Sequence, residues 1–473
     1  VSPGAAPAAR PAMPLPESPF RSPALAALDA AARALLAPGF WALNQLLDLR
    51  PTTAERRRRR QSPCGWCRGC AAWALAGPVL AVLLLLSLPV TALGLLLWLP
   101  LQAARSPFVY QHTAAAAPAK PWDLRQRRTF TFLSANLCLL PSGLAKFSNL
   151  GQTPQRAADI ARRLVPAAPD PDKLPPPLSE SFPPDADILC LQEVFDAAAA
   201  TCLRRRLGRV FPHIISEVGT GGLCRGRLRL LGSGLFLASR FPVLAAAFHS
   251  FPNGAREDAM ADKGLLLVQV LLGSARHRRV VGYIGCTHLQ APAGDGAVRE
   301  AQLTLALRWL QQFQQEQEQS GDVVAFDVLC GDLNFDNCSR ADQLNQRHQL
   351  FKVYQDPCRR APGQDEPWAI GGTAPPPSPA RGTVGLQVVA RTLSSPSGRR
   401  QFLAGPILTS GQPDATFPGP WRGRRLDYVV FRPPPMTPLS PQDVAAVSFI
   451  TRLAMCSDHL PVALSLHVVP GAP

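Results

Sequence analysis

Apolar residues are concentrated near one end of the chain, and the rest of it mixes apolar and polar positions. Residues 23–50 carry leucine and aromatic side chains at helical spacing, with an interruption at Pro38–Gly39. Each half of this segment is too short to cross a bilayer, so we predict a helix that lies on a membrane surface or re-enters it. Residues 1–22 are rich in alanine and proline and are predicted to be disordered.

A second apolar segment, residues 71–104, contains no charged side chain. It exceeds the roughly 20 residues that a membrane-spanning helix needs, and we predict that it lies in a membrane. Pro78, Pro89 and Pro100 interrupt it, and proline kinks a helix. Two topologies therefore remain open: a single kinked span, and a hairpin that turns back within the segment and leaves the rest of the chain on the cytosolic side.

Residues 51–70 form a basic linker between the two apolar segments. It holds five consecutive arginines, which we expect to bind anionic phospholipids: Arg56, Arg57, Arg58, Arg59 and Arg60. Three cysteines follow at a C-x-x-C-x-x-C spacing: Cys64, Cys67 and Cys70. A structural zinc site needs four ligands, and no fourth lies nearby. These cysteines are candidates for S-palmitoylation, with inert thiols as the alternative.

After a predicted linker at 105–128, strand and helix patterns alternate through residues 129–469. Strands are predicted over 129–136, 187–191, 233–239, 264–271, 279–287, 323–330, 427–431 and 461–467, and helices over 155–164, 198–207 and 298–315. This order predicts an α/β fold in which two sheets pack face to face and helices flank them. Residues 361–420 are rich in proline, glycine and serine and are predicted to be an irregular insertion.

Composition narrows the class of protein only partly. The net charge of +16 suits nucleic acid, an anionic membrane surface or a polyanionic ligand alike. The twelve cysteines show no regular framework, and four of them lie in apolar, strand-like segments: Cys138, Cys190, Cys286 and Cys330. We interpret these as reduced core residues of a domain folded in a reducing compartment, which favours a hairpin or a one-sided anchor over a span.

Polar residues recur at the ends of the predicted strands, where they can meet in one pocket: Asn136, Glu193, His288, Asp332, Asn334, Asp427, Asp458 and His459. Mg²⁺ prefers hard oxygen ligands of this kind. Hydrolysis of a phosphodiester needs an activated water and stabilised charge on the phosphate, and a histidine held by a carboxylate can act as general base. Any one of these residues alone is as readily a turn cap or a surface charge.

Taken in order, the motifs are far more specific. They are SAN at 134–136, LQEVFD at 191–196, THL at 287–289, GDLNFDN at 331–337, RLDY at 425–428 and SDHLPV at 457–462. Over about 129–468 the chain resembles the DNase I-like endonuclease/exonuclease/phosphatase superfamily. The resemblance implies a two-sheet α/β sandwich with one metal-centred cleft.

Within that superfamily the chain resembles the membrane-bound neutral sphingomyelinases. The matching stretches include ADKGLLLVQV at 261–270, VGYIGCTHLQAP at 281–292 and VVAFDVLCGDLNFDNCS at 323–339. The paired apolar segments with cysteines between them match as well, and the short region at 153–184 is similar to the mitochondria-associated members. The resemblance implies Mg²⁺-dependent hydrolysis of sphingomyelin to ceramide and phosphocholine, with Mn²⁺ able to replace Mg²⁺.

The same resemblance implies a membrane location and lipid partners. It places the enzyme in the membrane of the mitochondrion or the endoplasmic reticulum, with the catalytic domain facing the cytosol. It also implies activation by anionic phospholipids such as phosphatidylserine or cardiolipin, and no nucleic acid is expected as a partner.

Roles at the metal follow from the matched motifs. By resemblance, Glu193 is the principal Mg²⁺ ligand with Asn136 beside it, and Asp458 helps to hold the metal. Asp332 and Asn334 orient the water and contact the phosphate.

The matched motifs assign proton transfer and gating in the same way. His459 resembles the general base, Asp427 its orienting carboxylate, and His288 a second histidine that stabilises the transition state. Lys263 with Asp258 resembles a gate in which the lysine exchanges partners. Asp262, next to the lysine, is the alternative partner.

Three rival functions remain open. A nuclease of the same superfamily shares the catalytic residues and fits the basic charge. An inositol-phosphate phosphatase of that superfamily should show basic clusters around the cleft loops, and the sequence does not place any there. A catalytically silent membrane adaptor would retain only the apolar segments, and the intact catalytic set argues against it.

Overall fold

A computed structural model describes residues 14–52, 55–56, 59–60, 65–114, 122, 126–165, 178–179, 182–183, 185–224, 226–275, 278–371, 405–410, 412–416, 424–433, 443–454 and 456–468. Residues 1–13, Arg57, Arg58, Cys64 and 372–404 therefore lie outside the described residues, as do the side chains of Cys67 and Cys70.

The strands lie in two large sheets and two small hairpins. Their bounds are β1 Val109–His112, β2 Arg128–Leu139, β3 Leu178–Ser179, β4 Ile188–Val194, β5 His213–Ser216, β6 Gly222–Cys224, β7 Arg227–Arg229, β8 Phe236–Ser239, β9 Val243–Ser250, β10 Gly264–Ala275, β11 Arg278–His288, β12 Val323–Asp332, β13 Arg359–Ala361, β14 Gln364–Asp365, β15 Asp427–Phe431, β16 Asp443–Ile450 and β17 Val462–Val468. The first sheet has the order β1-β5-β8-β4-β2-β17-β16-β3, and the second has the order β15-β12-β11-β10-β9. The predicted two-sheet α/β architecture is confirmed.

The helices are α1 Pro23–Asp48, α2 Gly65–Leu101, α3 Ser142–Ala145, α4 Thr153–Leu164, α5 Ala197–Leu207, α6 Gly296–Gln317, α7 Gln343–Gln346 and α8 Leu350–Val353. Helices α4 and α5 cover the outer face of the first sheet, and α6 covers that of the second. The amphipathic patterns at 155–164, 198–207 and 298–315 thus lie where the sequence placed helices, because each apolar stripe needs a sheet face to cover it.

Aromatic packing between the sheets explains why the central strand is buried on both faces. Phe130 and Phe132 of β2 point across the gap to Phe326 of β12, with ring centroids 5.1 and 4.8 Å apart. Leu133, the next residue after Phe132, points outward to the cluster under α4 that includes Ile160. A strand covered on both faces carries a nearly continuous apolar run, as 130–139 does.

The N-terminal region differs from the prediction. Helix α1 is continuous through Pro38, where the sequence predicted a break, and it packs antiparallel to α2. Gly94 of α2 lies so close to α1 that a Cβ there would be 3.1 Å from the carbonyl oxygen of Ala32, and a Cβ on Gly39 would clash with Thr91. Close packing through small residues compensates a proline whose helical position costs about 3 kcal/mol.

Helix α2 is likewise continuous, so the hairpin turn predicted as one option inside 71–104 is not found. The chain instead reverses between α1 and α2. In the part of the chain that the structure describes, Trp73–Ala104 is the helical segment long and apolar enough to cross a membrane, with a mean hydropathy of 2.6. Many of its leucines face outward, and Leu75 and Leu86 are 73% and 71% exposed.

Both ends of this helical hairpin contact the catalytic domain. At one end, Asn44 Oδ1 accepts a hydrogen bond of 2.8 Å from the backbone N–H of Gly143, and Lys146 Nζ lies 2.8 Å from Glu55 Oε2. At the other end, the Trp98 ring packs directly on Gly221. The helices therefore run along the domain and do not project from it.

Two predicted boundaries also differ. The linker at 105–128 contains β1, which pairs with β5 at the edge of the first sheet. Residues 14–22, predicted to be disordered, contact the same stretch, because the carbonyls of Pro16 and Pro19 accept hydrogen bonds from Tyr110 and Ser106. Strand β1 hydrogen-bonds to the backbone groups of β5, which would otherwise be the unpaired edge of the sheet. The local sequence of 105–128 does not show that β5 needs this partner.

Part of the predicted irregular insertion 361–420 is ordered. Strands β13 and β14 pair there, and an isolated bridge joins Ile407 to Pro413. Arg425 is buried and pairs with Asp365, at 2.8 Å. That ion pair ties the insertion to the start of β15.

Candidate active site

Strand register brings the predicted polar residues into one row. In the second sheet, His288 of β11 lies opposite Asp332 of β12, and Asp332 lies opposite Asp427 of β15. In the first sheet, Asn136 of β2 pairs with Gln192 of β4, one residue before Glu193. The two groups meet at the same end of the sandwich.

One amide joins the two central carboxylates. Asn136 Nδ2 donates hydrogen bonds to Glu193 Oε1 at 2.9 Å and to Asp332 Oδ2 at 3.0 Å. Its Oδ1 accepts from the backbone N–H of Cys138, so Asn136 positions both carboxylates with its nitrogen. Glu193 has a φ of 57°, in the left-handed region that a residue with a side chain seldom adopts. Strain of this kind is concentrated at functional sites.

His459 forms a dyad with Asp427. Its Nδ1 lies 2.7 Å from Asp427 Oδ2, and its Nε2 lies 3.8 Å from Asp332 Oδ2. The backbone N–H of His459 donates to Ser457 Oγ, which in turn donates to the Asn136 carbonyl at 2.7 Å. With the Nδ1 proton on the Asp427 side, Nε2 faces the carboxylate cluster and is the ring nitrogen that can exchange a proton there.

His288 and Lys263 form the opposite wall. His288 Nε2 lies 3.5 Å from Asp332 Oδ2 and 3.2 Å from Lys263 Nζ. Lys263 pairs with Asp258 at 3.0 Å, as the primary prediction has it. The alternative partner, Asp262, is wrong for this structure, because its carboxylate pairs with Arg229.

Asn334 is in the same pocket, in a left-handed conformation with a φ of 53°. Its backbone N–H donates to Asp332 Oδ1, and its Nδ2 donates to the carbonyl of Leu289. Lys263 Nζ donates to the same carbonyl, at 2.9 Å. Sequence reasoning missed Leu289 and Ser457, although both lie inside the motifs THL and SDHLPV.

Burial and charge shift the pKa values of the site in opposite directions. Burial raises the pKa of Glu193 to about 6, and the negative charge of Asp458 adds to that rise. Burial likewise raises the pKa of Asp332 to about 6, against the pull of His459. Burial, Lys263 and His459 hold the pKa of His288 well below its usual range.

His459 behaves differently. Burial lowers its pKa, but the carboxylates of Asp427 and Asp332 outweigh burial and hold the pKa well above the usual histidine range. The neighbouring charges therefore shift the pKa values of the two histidines in opposite directions, which allows the histidines different roles.

The donor set suits a hard divalent cation. Glu193, Asp332 and Asp458 supply carboxylates, and burial raises the pKa of Glu193 and Asp332, so that ionising these two is costly without a compensating charge. Oxygen donors of this type favour Mg²⁺ or Mn²⁺ over softer metals. The ligand atoms of Asp332, Asp427 and His459 also lie within 4.8 Å of one another, although Nδ1 of His459 is already engaged by Asp427.

A second acidic group that the sequence analysis did not single out comprises Asp336, Cys338 and Asp365. Its carboxylates are already engaged. Asp336 accepts hydrogen bonds from Ser339 and from the backbone of Cys338, and Asp365 pairs with Arg425. We interpret this group as a structural anchor for the ordered part of the insertion.

Every cysteine side chain that the structure describes is a free thiol. Of the arginine run, Arg56 and Arg60 are exposed.

Family models match both parts of the chain. Residues 133–459 match the Endonuclease/Exonuclease/phosphatase family, and residues 24–104 match the Neutral sphingomyelinase N-terminal transmembrane region. The sandwich fold and the site thus define an enzyme of the endonuclease/exonuclease/phosphatase class, a phosphoric diester hydrolase with a membrane-associated N-terminal region.

Individual relatives narrow the class. Sphingomyelin phosphodiesterase 5 of Mus musculus is 44% identical over 471 residues, which cover 96% of this chain and 94% of the relative. Sphingomyelin phosphodiesterase 3 of Homo sapiens is 30% identical and covers 96% and 99%. The chain belongs to the neutral sphingomyelinase family. The crystal structure of sphingomyelinase C from Streptomyces griseocarneus shows a weak similarity, with 17% identity, a TM-score of 0.39 and coverage of 72% and 99%.

Proposed function

We propose that this enzyme hydrolyses sphingomyelin to ceramide and phosphocholine at a membrane surface, with Mg²⁺ as cofactor. One observation supports the proposal above all: the apolar helical hairpin packs on the same domain that holds the phosphodiesterase-type site. The substrate class follows the relatives named sphingomyelin phosphodiesterase. The membrane segment argues against the rival nuclease.

Glu193 would hold Mg²⁺, with Asn136 and Asp458 beside it, and the cation would neutralise charge on the phosphate oxygens. His459 Nε2 removes a proton from the attacking water, and Asp427 stabilises the imidazolium that results. The new bond joins the water oxygen to phosphorus, and the bond to the ceramide oxygen breaks. The ceramide oxygen takes a proton from solvent as it leaves, and His459 gives the proton that it took from the water back to solvent.

Three further residues complete the reaction. Asp332, held by Asn136, orients the water, and Asn334 contacts the phosphate. His288 stabilises charge in the transition state.

Lys263 and Asp258 would act as a gate. The ion pair at 3.0 Å holds Lys263 beside His288, and the substrate phosphate is a competing partner for the same ammonium. Exchange between the two partners would open or close the site.

Three features would anchor the enzyme to lipid. Arg56, Arg57, Arg58, Arg59 and Arg60 would bind phosphatidylserine or cardiolipin, each arginine contributing about 1 kcal/mol near an anionic surface. Cys64, Cys67 and Cys70 would carry palmitoyl groups. The outward leucines of α2 supply the apolar contact.

A one-sided arrangement in the membrane agrees with the contacts at both ends of the hairpin, since a helix pair that crossed the bilayer would leave the domain at one end. The catalytic domain would then face the cytosol, where thiols stay reduced. The mitochondrion or endoplasmic reticulum remains the proposed organelle, by resemblance to the mitochondria-associated members.

Phosphocholine release from sphingomyelin in mixed micelles tests the proposal. We expect release with Mg²⁺, loss of release with EDTA, and recovery when Mg²⁺ or Mn²⁺ is restored. Activity that persists in EDTA would reject the metal mechanism. Cleavage of DNA or of inositol phosphates, without phosphocholine release, would establish one of the rival functions.

A further inference from the structure

A cavity of about 420 Å³ lies on the catalytic domain between the end of β1 and the end of α5. It is lined by Gln111, Thr113, Ala114, Arg204, Arg205, Gly208 and Arg209. Among the residues that the structure describes, none that lines the cavity is acidic, so these residues present three guanidinium groups beside two neutral polar side chains.

Two of the three arginines are available to a ligand. Arg204 pairs with Glu217 at 3.0 Å. Arg205 and Arg209 are exposed, and neither takes part in any ion pair among the residues that the structure describes. Arginine side chains without a carboxylate partner are well suited to bind phosphate, because a guanidinium group can donate two parallel hydrogen bonds to two phosphate oxygens.

The cavity lies beside the point where the chain leaves the apolar helix. Arg105, the first charged residue after that helix, pairs with Glu217 at 2.9 Å, and Glu217 also pairs with Arg204 of the cavity. Gln111 follows Ala104 by seven residues, which span at most about 25 Å. The arginines are thus close to the end of α2, where the chain leaves the apolar segment.

Helix α5 offers a simpler explanation for only some of these arginines. The C-terminal end of a helix carries about half a negative charge, which favours cations in the last turn such as Arg204, Arg205 and Arg206. That effect does not account for Arg209, which lies beyond the helix, nor for a cavity into which Arg205 and Arg209 both open.

We propose that this cavity binds the phosphate of an anionic phospholipid headgroup from the membrane on which the enzyme sits. The site is separate from the arginine run at 56–60, and it belongs to the catalytic domain. The inference rests on the membrane attachment in the proposed function, but not on the hydrolysis of sphingomyelin.

Binding of dihexanoyl phosphatidic acid to the full chain in nonionic detergent, measured by calorimetry without divalent cations, tests the site. Both variants and their parent carry glutamine at 56–60, which removes the arginine run as a competing site. We expect Arg205→Gln with Arg209→Gln to weaken binding about tenfold to thirtyfold relative to the parent. Arg206→Gln, on the same helix but outside the cavity, should leave binding within about twofold of the parent.

Three outcomes would overturn the proposal. Equal affinity of the parent and the double variant for dihexanoyl phosphatidic acid would exclude the cavity as the binding site. Equal affinity for dihexanoyl phosphatidylcholine would remove the requirement for an anionic headgroup, and equally tight binding of inorganic phosphate would make the ligand a free anion. Thermal unfolding of each variant shows that the fold is intact. If the unmodified chain binds dihexanoyl phosphatidic acid but releases no phosphocholine from sphingomyelin, the proposed hydrolysis is rejected. The proposed lipid site is not affected by that result.

Discussion

His459 and His288 show how two residues of one type acquire different properties a few ångströms apart. Two carboxylates hold the pKa of His459 well above the usual range, whereas burial and the neighbouring positive charges hold that of His288 well below it. Only His459 has a carboxylate on Nδ1, at 2.7 Å, and this sets its tautomer. The assignment of the base therefore depends on Asp427.

Removing that carboxylate tests the assignment. We expect Asp427→Asn to lower kcat by about 10²–10⁴-fold, the usual contribution of general-base catalysis, and His459→Ala to lower it at least as much. Because Asp427 raises the pKa of His459, the acidic limb of the pH–rate profile should also move to lower pH in Asp427→Asn. Activity within about fivefold of the unmodified enzyme, or an unmoved limb, would exclude the dyad.

Lys263 is tested in the same assay. It is buried, and it contacts Asp258, His288 and the Leu289 carbonyl, so Lys263→Ala removes both a gate partner and a phosphate partner. We expect kcat to fall by more than about tenfold. Lys352→Ala changes an exposed lysine on α8 and is the matched control. Turnover like that of the unmodified enzyme in Lys263→Ala would remove this residue from the site.

At the scale of elements, the two apolar helices are held together by small residues. The strand predictions were less complete than the helix predictions, because nine strands were missed, among them β5, β9 and β16, whereas the helices that were missed, α3, α7 and α8, have four residues each. Strand β9 contains three alanines in succession and has no alternation to detect. β9 is a strand because its backbone hydrogen-bonds to β10, and the local sequence of β9 does not specify that partner.

Gly94 is the sharpest probe of the α1–α2 contact. A Cβ there would lie 3.0 Å from Leu35 Cβ and 3.1 Å from the Ala32 carbonyl, so Gly94→Ala must separate the helices. We expect a loss of about 1–3 kcal/mol, seen as a lower midpoint of thermal unfolding in detergent. Gly77→Ala meets only ordinary contacts, the nearest at 3.5 Å, and should be neutral or stabilising by up to about 1 kcal/mol. A Gly94→Ala variant as stable as Gly77→Ala would contradict the packing.

At the scale of the whole molecule, cation binding and folding are linked through protons. Because burial raises the pKa of Glu193 to about 6, the cation-free protein loses stability as pH rises from the unfolded pKa through that value. A cation binds the ionised carboxylate and restores this stability. We therefore expect Mg²⁺ to raise Tm more at about pH 7.5 than at about pH 5, with no such difference in Glu193→Gln. An equal rise at both values in the unmodified protein would exclude Glu193 as the ligand.

Attachment to lipid is the second property of the whole molecule. Replacing the five arginines at 56–60 by glutamine should weaken binding to phosphatidylserine vesicles by about 1 kcal/mol per arginine, as measured by vesicle flotation. Binding to phosphatidylcholine vesicles should not change, because the outward leucines of α2 remain. Unchanged flotation with phosphatidylserine would contradict the role of the run.

The amino-acid sequence by itself determined the apolar N-terminal region, the α/β class and the order of the catalytic motifs, because hydrophobic period and motif spacing are local properties. Tertiary structure decided that α1 and α2 form a hairpin along the catalytic domain, that Lys263 pairs with Asp258 and not with its neighbour Asp262, and that the arginines of α5 meet β1 at a cavity. The hairpin and the cavity depend on distances between residues that are far apart in the chain. The choice between Asp258 and Asp262 depends on which of two like carboxylates lies nearer to Lys263. Such distances are set by strand register and by packing between layers, which no local pattern encodes.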